Sequence, residues 1–235
     1  MGRYYQPTTT TTTTSAKTCD FGTPGSYTWT VPTGITKASF EIWGAGGGGG
    51  AVACCSCYYA GPPGAGGGFS KKAIAVTPGQ AYTICVGYGG MVSTVGSCQL
   101  HSCCCGAAGT TTYVTGTNLS NFCATGGDGG QAQCYWGCGC SNTGGQGYGG
   151  DINQPGGAGG GGHASSQCML YTGMAGAAAF TGGSGIFTSD ACFPSCMPGQ
   201  VGQFPGGGGT TAFANQCCCC GPGGTGGNGL VRIYY

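Results

Sequence analysis

The residues of this sequence best equipped for chemistry are its 20 cysteines. They cluster as "CCSC" (Cys54, Cys55, Cys57), "HSCCC" (Cys103 to Cys105 after His101), "CYWGCGC" (Cys134, Cys138, Cys140), "CFPSC" (Cys192, Cys196) and "CCCC" (Cys217 to Cys220). Cys19, Cys85, Cys98, Cys123 and Cys168 stand alone. Neighbouring cysteines rarely bond each other, because the disulfide geometry strains a vicinal pair. Bonds between clusters would staple loops that lack a hydrophobic core. Cys54, Cys57, Cys103, Cys105, Cys134, Cys138, Cys140, Cys192, Cys196, Cys217 and Cys220 are the candidates for such bonds. Soft-metal binding is the competing reading, with His101 beside Cys103 to Cys105 offering nitrogen and sulfur ligands. Reactive thiols are the third. The residues assign no particular metal site.

Catalysis finds little support. The carboxylates Asp20, Glu41, Asp128, Asp151 and Asp190 are scattered without paired spacing. His163, in "GGGGHASS", has no orienting acid implied by its neighbours. "GAGGGGGA" lacks the Gly-Lys-Ser/Thr ending of a phosphate-binding loop. The sequence therefore reads as a non-enzyme with no cofactor. A formal net charge of +1 gives no footprint for nucleic acid. No apolar run approaches the roughly 20 residues of a membrane-spanning helix. The opening residues contain no hydrophobic stretch of the signal-peptide kind.

The elements that must position these side chains are strands and glycine tracts. The chain carries 57 glycines and only 5% charged residues, far from the roughly 25% charge of ordinary soluble domains. Apolar residues alternate in "SYTWTVP" (26–32), "TGITKASFEIWGAG" (33–46), "GGGFSKKAIAVTPGQAYTICVGYGG" (66–90) and "NGLVRIYY" (228–235), which predicts strands. "TTTYVTG" (110–116) predicts a weaker one. The Thr-Pro-Gly-Gln step at 77–80 predicts a turn joining two strands as a hairpin. Between them run "TGGDGGQ", "TGGQGYGGD", "PGGAGGGG", "FPGGGG" and "PGGTGGNG". Polyproline II geometry has three residues per turn, so an X-Gly-Gly beat leaves two bare edges. The expectation is an all-β protein in which short antiparallel strands at both ends frame a bundle of polyglycine-II helices with long loops. Backbones pack there in place of a side-chain core, and Gly157 and Gly224 are expected to sit in that packing. Residues 26–235 form this domain. Residues 1–25 form an extended arm.

The series "YTWTVPTGITKASFEIWGAGGGGG", "TPGQAYTICVGYGG" and "GGNGLVRIYY" resembles the glycine-rich domain of bacteriophage tail fibres and tail-tip adhesins. Its positions fall on Trp29, Val31, Pro32, Gly34 and Thr36, on Pro78, Gly79, Tyr82, Val86, Gly87 and Gly89, and on Gly229, Val231, Ile233 and Tyr235. The resemblance implies a protein of the virion, on its surface, whose loops recognise a host cell. Tyr58, Tyr59, Tyr135, Trp136, Tyr148 and Tyr171 sit in glycine-rich surroundings, where large rings supply contact area at low entropy cost. They are the expected receptor contacts, with covering of the glycine core as the alternative. Seven threonines, Thr8 to Thr14, are too polar for a core and too β-branched to favour helix. Strand addition on another virion protein or a neighbouring copy would suit them. Arg3, Tyr4, Tyr5, Thr8, Thr11 and Thr14 are the expected attachment residues, in a multi-copy or homo-oligomeric assembly without nucleic acid. An architectural cement protein of capsid or tail is the second reading. A cysteine-rich metal-binding or eggshell-like protein is the third.

Overall fold

The computed structural model describes residues 17–53, 63–92, 105–131, 142–160, 163–166, 169–171, 174–181, 188–189, 198–212 and 220–235. In chain order the strands are β1 (Thr18–Phe21), β2 (Gly25–Thr30), β3 (Lys37–Trp43), β4 (Val52–Ala53), β5 (Phe69–Ala75), β6 (Ala81–Val86), β7 (Thr112–Thr115) and β8 (Cys123–Ala124). They continue with β9 (Gly147–Tyr148), β10 (Ile152–Gln154), β11 (His163–Ser166), β12 (Met169–Tyr171), β13 (Thr188–Ser189), β14 (Cys220–Gly221) and β15 (Leu230–Tyr234). The described residues contain no helix, and the protein is all-β.

Two five-stranded antiparallel sheets face each other, one ordered β1-β15-β3-β5-β10 and the other β2-β6-β7-β8-β9. Alternation along each strand sends one set of side chains into the gap. The first sheet contributes Phe40, Ile42, Ile74, Val231 and Ile233; the second contributes Trp29, Tyr82, Ile84, Val86 and Val114. Trp29 meets Phe40 edge to face at 5.7 Å between centroids, and Tyr82 lies 5.4 Å from Phe40. β4 pairs with β14, and β11, β12 and β13 form a separate three-stranded sheet.

The turn at 77–80 is present, but it does not close a hairpin. β5 pairs with β3 and β10, whereas β6 pairs with β2 and β7. The cause is the side-chain pattern. Ile74 and Val76 on one side of the turn, and Tyr82 and Ile84 on the other, all face the same core. The chain satisfies them by crossing from sheet to sheet. Gln80 and Thr77 close the turn, and Val31 caps it from the second sheet through hydrogen bonds to Gly79 and Gln80.

β1 lies within the stretch assigned to the arm. It pairs with β15 from Thr18 opposite Tyr234 to Phe21 opposite Val231. Lys17 and Tyr235 exchange two more backbone hydrogen bonds. Residues 1–16 lie outside the described residues.

The glycine tracts grow out of the strands. Residues 44–50 continue β3, 63–68 lead into β5, 87–91 continue β6, 125–131 continue β8 and 222–229 lead into β15. Their hydrogen bonds repeat every third residue. In the 44–50 tract, Gly44 and Gly47 donate to Gly68 and Ala65. Ala45 and Gly48 donate to Thr110 and Ala107, and Gly46 and Gly49 to Gly227 and Gly224. Gly127 and Gly130 donate back to Ala45 and Gly48, Gly90 to Gly46, and Gly209 to Gly47. One chain segment thus has neighbours on every side, each reached at three-residue steps. That is the periodicity of a three-residue helix. Most intertract contacts would forbid any side chain: a Cβ on Gly46 would fall 2.0 Å from the Gly207 carbonyl oxygen, and one on Gly47 1.9 Å from that of Asp128. Glycine is required by close approach of backbone to backbone, and the freed amides and carbonyls pair with one another instead of with water.

Candidate functional site

The outward face of the β1-β15-β3-β5-β10 sheet carries the densest chemistry among the described residues. Strand register aligns Asp20, Arg232, Glu41 and Lys71 in one row across four strands. Their signs alternate along it. Arg232 donates to Asp20 through Nε at 2.9 Å and through a terminal nitrogen at 2.7 Å, and Lys71 Nζ lies 2.8 Å from Glu41. Tyr234 donates its hydroxyl to Glu41 at 3.1 Å. The hydrogen bonds to Asp20 hold the Arg232 guanidinium charged above its ordinary range, and the one to Glu41 does the same for Lys71. A chain with so few charges spends four of them on one line.

On one side of that row the next register line is Thr18, Tyr234, Ser39 and Ala73. Small residues there leave a hollow of about 520 Å³ lined by Lys37, Ser39, Ala73, Ala75, Tyr234 and Tyr235 with the backbone of β3 and β5. Ser39 Oγ is buried beneath it without a hydrogen-bond partner among the described residues. On the other side lie Leu230, Trp43 and Phe69. Residues 178–180 cover this line. Trp43 Nε1 donates to the Ala179 carbonyl at 2.9 Å, and Phe180 meets Phe69 edge to face at 5.0 Å. Phe204 closes the β1 side, where a Cβ on Gly22 would touch its ring at 2.7 Å. Phe180 is 75% exposed and Phe204 55%.

The second sheet presents a different row. Ser26, Cys85, Tyr113, Cys123 and Tyr148 are successive partners across β2, β6, β7, β8 and β9. Tyr113 shares a hydrogen bond with the Cys85 thiol, which raises its phenol above the ordinary range. Cys123 donates to Asn121 Oδ1 at 3.8 Å, and burial raises its thiol. Cys85 and Cys123 stand two strands apart, about 10 Å at ordinary strand spacing. That exceeds the reach of a disulfide.

Of the expected receptor contacts, Tyr148 is placed on this outer row, 44% exposed. Tyr171 lies in β12, opposite His163 and Thr188. Tyr58, Tyr59, Tyr135 and Trp136 lie outside the described residues, as do the attachment residues Arg3, Tyr4, Tyr5, Thr8, Thr11 and Thr14. So do Cys54, Cys57, Cys103, Cys134, Cys138, Cys140, Cys192, Cys196 and Cys217. Cys105 is a free, half-buried thiol, like Cys19, Cys85 and Cys123. Cys220 lies in β14, opposite Ala53. Among the described residues no group of three or more metal-ligating side chains gathers. The charged row and the Cys–Tyr row are not legible in the sequence, because each arises from strands distant along the chain.

Fold and surface together define a glycine-lattice β-sandwich, two antiparallel sheets prolonged into tracts whose backbones hydrogen-bond to one another. The chain belongs to the glycine-rich domain family, which matches residues 22–235. No curated protein matches it.

Proposed function

We propose that this protein is a structural component of a bacteriophage particle, a tail fibre or tail-tip adhesin that meets the host surface, without enzymatic activity. The observation that carries the reading is the glycine lattice growing directly out of the sandwich strands. The 44–50 tract is buried and hydrogen-bonded on every side. Such a core stiffens the chain while consuming almost no side chains, which leaves aromatic residues free for recognition surfaces. Lys17 and Tyr235 pair at the sandwich end, so residues 1–16 join the folded unit there and the glycine tracts run away from it. This polarity suits a protein attached to a particle by one end. The resemblance of Trp29 to Thr36, Pro78 to Gly89 and Gly229 to Tyr235 to tail-fibre sequences supports the same reading.

Immunogold labelling of intact particles tests the assignment directly. Gold at tail-fibre tips, with purified chain competing against particle adsorption, is the expected result. Gold spread over the capsid, with no competition, would replace the adhesin by a cement protein.

A further inference from the structure

We propose that the outward face of the β1-β15-β3-β5-β10 sheet is an interface between two copies of this chain, related by a twofold axis running parallel to the strands along the line between β15 and β3. The proposal does not depend on the phage assignment. It rests on a symmetry in the face itself.

The charged row reads minus, plus, minus, plus from Asp20 through Arg232 and Glu41 to Lys71. A twofold axis through its midpoint reverses the order for the second copy. Asp20 then faces Lys71 of the second copy, and Arg232 faces Glu41 of the second copy, with both contacts repeated by symmetry. Every charge meets its opposite. A row reading plus, minus, minus, plus would have met itself sign for sign. Isologous interfaces need this self-complementarity.

The lines on either side obey the same operation. Tyr234 lies on one side of the axis, and the small residues Ser39 and Ala73 lie on the other. The Tyr234 ring of each copy is carried over the hollow of its mate, above a Ser39 hydroxyl that has no partner among the described residues of its own chain. On the apolar line, exposed Phe204 stands on the β1 side and exposed Phe180 on the β5 side. The axis brings each onto the other. Charge, shape and apolar surface agree on one operator.

Size fixes the strength. Four strands about 4.8 Å apart, over four alternating positions of about 6.8 Å each, cover roughly 500 Å² per copy. A standard stable interface buries about 800 Å² per partner. Exposed ion pairs contribute orientation more than affinity. The association is therefore weak for two isolated chains, with a dissociation constant of about 10 μM to 1 mM, and gains strength where copies are held together.

The test uses charge exchange within pairs, which keeps each intrachain ion pair. Asp20→Arg with Arg232→Asp gives the row plus, minus, minus, plus. Glu41→Lys with Lys71→Glu gives minus, plus, plus, minus. Sedimentation of the full chain should show wild type self-associating, and each double variant folded but monomeric over the same range, a loss of about a hundredfold or more in affinity. Mixing the two double variants should restore association, because one row complements the other reversed. The quadruple variant restores the alternation and should self-associate again. Phe180→Ser with Phe204→Ser should weaken association about tenfold or more. The edge-to-face contact of Phe180 with Phe69 is lost, so the melt shifts down somewhat but stays cooperative, and this keeps the test decisive if a charge exchange impairs folding. Wild type monomeric at about 1 mM would overturn the proposal. So would double exchange variants that associate as wild type does, or a double phenylalanine variant with unchanged affinity.

Discussion

A Cβ added to Gly224 would lie 1.7 Å from the carbonyl oxygen of Gln200. No rotamer relieves that contact, since both partners are backbone, and the tract itself must move. Gly46 is in the same position against Gly207 at 2.0 Å. Gly160 differs, with its nearest neighbour, Met174 N, at 3.6 Å.

Gly224→Ala and Gly46→Ala should therefore each abolish cooperative folding or lower the melting temperature steeply. Gly160→Ala should be neutral or slightly stabilising, because alanine narrows the unfolded ensemble by about 0.4–1 kcal/mol where the native backbone accepts it. Gly157 sits between the two, with Ala177 N at 3.2 Å, and its alanine variant should cost little where valine costs more. Thermal melts of the four alanine variants rank them. Equal melts for Gly46→Ala and Gly160→Ala would mean that the lattice does not carry the fold.

The lattice and the sandwich should unfold together, because each tract is a strand prolonged. Phe40 is fully buried between the sheets and meets both Trp29 and Tyr82. Phe40→Ala should cost about 3–5 kcal/mol. Hydrogen exchange of the 44–49 amides should accelerate with that of β3 by the same free energy. Tract amides that keep wild-type protection would separate the two units.

Much of this fold is legible in the sequence, and the reason lies in periodicity. Phe40, Ile42, Tyr82 and Ile84 alternate strictly, and alternation marks a half-buried strand wherever it occurs. The three-residue glycine beat likewise specifies the lattice. Partner choice is less accessible. The Thr-Pro-Gly-Gln turn reads identically whether Ala75 and Ala81 enter one sheet or two, and only the shared core of Val76 and Tyr82 decides. β1 escapes a sequence reading because Thr18 to Phe21 is too short to show a period. The row of Asp20, Arg232, Glu41 and Lys71 gathers residues as far as 212 positions apart, so no local signal announces it.

Alkaline pH should destabilise the protein. Burial, followed by the Asp20 carboxylate, raises the Cys19 thiol above its ordinary 9.0, and burial does the same to Cys123. Burial raises Tyr82 above 10.0. These groups keep their protons in the folded chain at a pH where the unfolded chain has lost them. Stability then falls as pH rises. Lys71, raised above 10.5 by its hydrogen bond to Glu41, acts in the same direction because its ion pair ends when it deprotonates. Melting temperature should hold up to about pH 8.5 and decline from there through about pH 11. Cys19→Ser with Cys123→Ser should flatten the first part of the decline. A melting temperature that rises between about pH 9 and 11 would contradict all four shifts.

The folded unit should tolerate loss of everything before Lys17. Lys17 exchanges both backbone hydrogen bonds with Tyr235, and β1 follows at once with its Asp20–Arg232 ion pair. Removing residues 1–16 leaves those contacts intact, so the shortened chain should still fold with a single cooperative melt. Removing residues 1–25 takes β1 as well. It strips the edge from β15, exposes Val231 and Ile233 beside Cys19 and Phe21, and should cost several kcal/mol, on the order of two or three buried apolar side chains. In the proposed role the first truncation is the informative one. A chain lacking residues 1–16 should fold and yet fail to enter particles, since Arg3, Tyr4, Tyr5 and the threonines Thr8, Thr11 and Thr14 are the proposed attachment residues. Particles that take up the shortened chain at wild-type occupancy would move the attachment point off residues 1–16 and onto the folded domain.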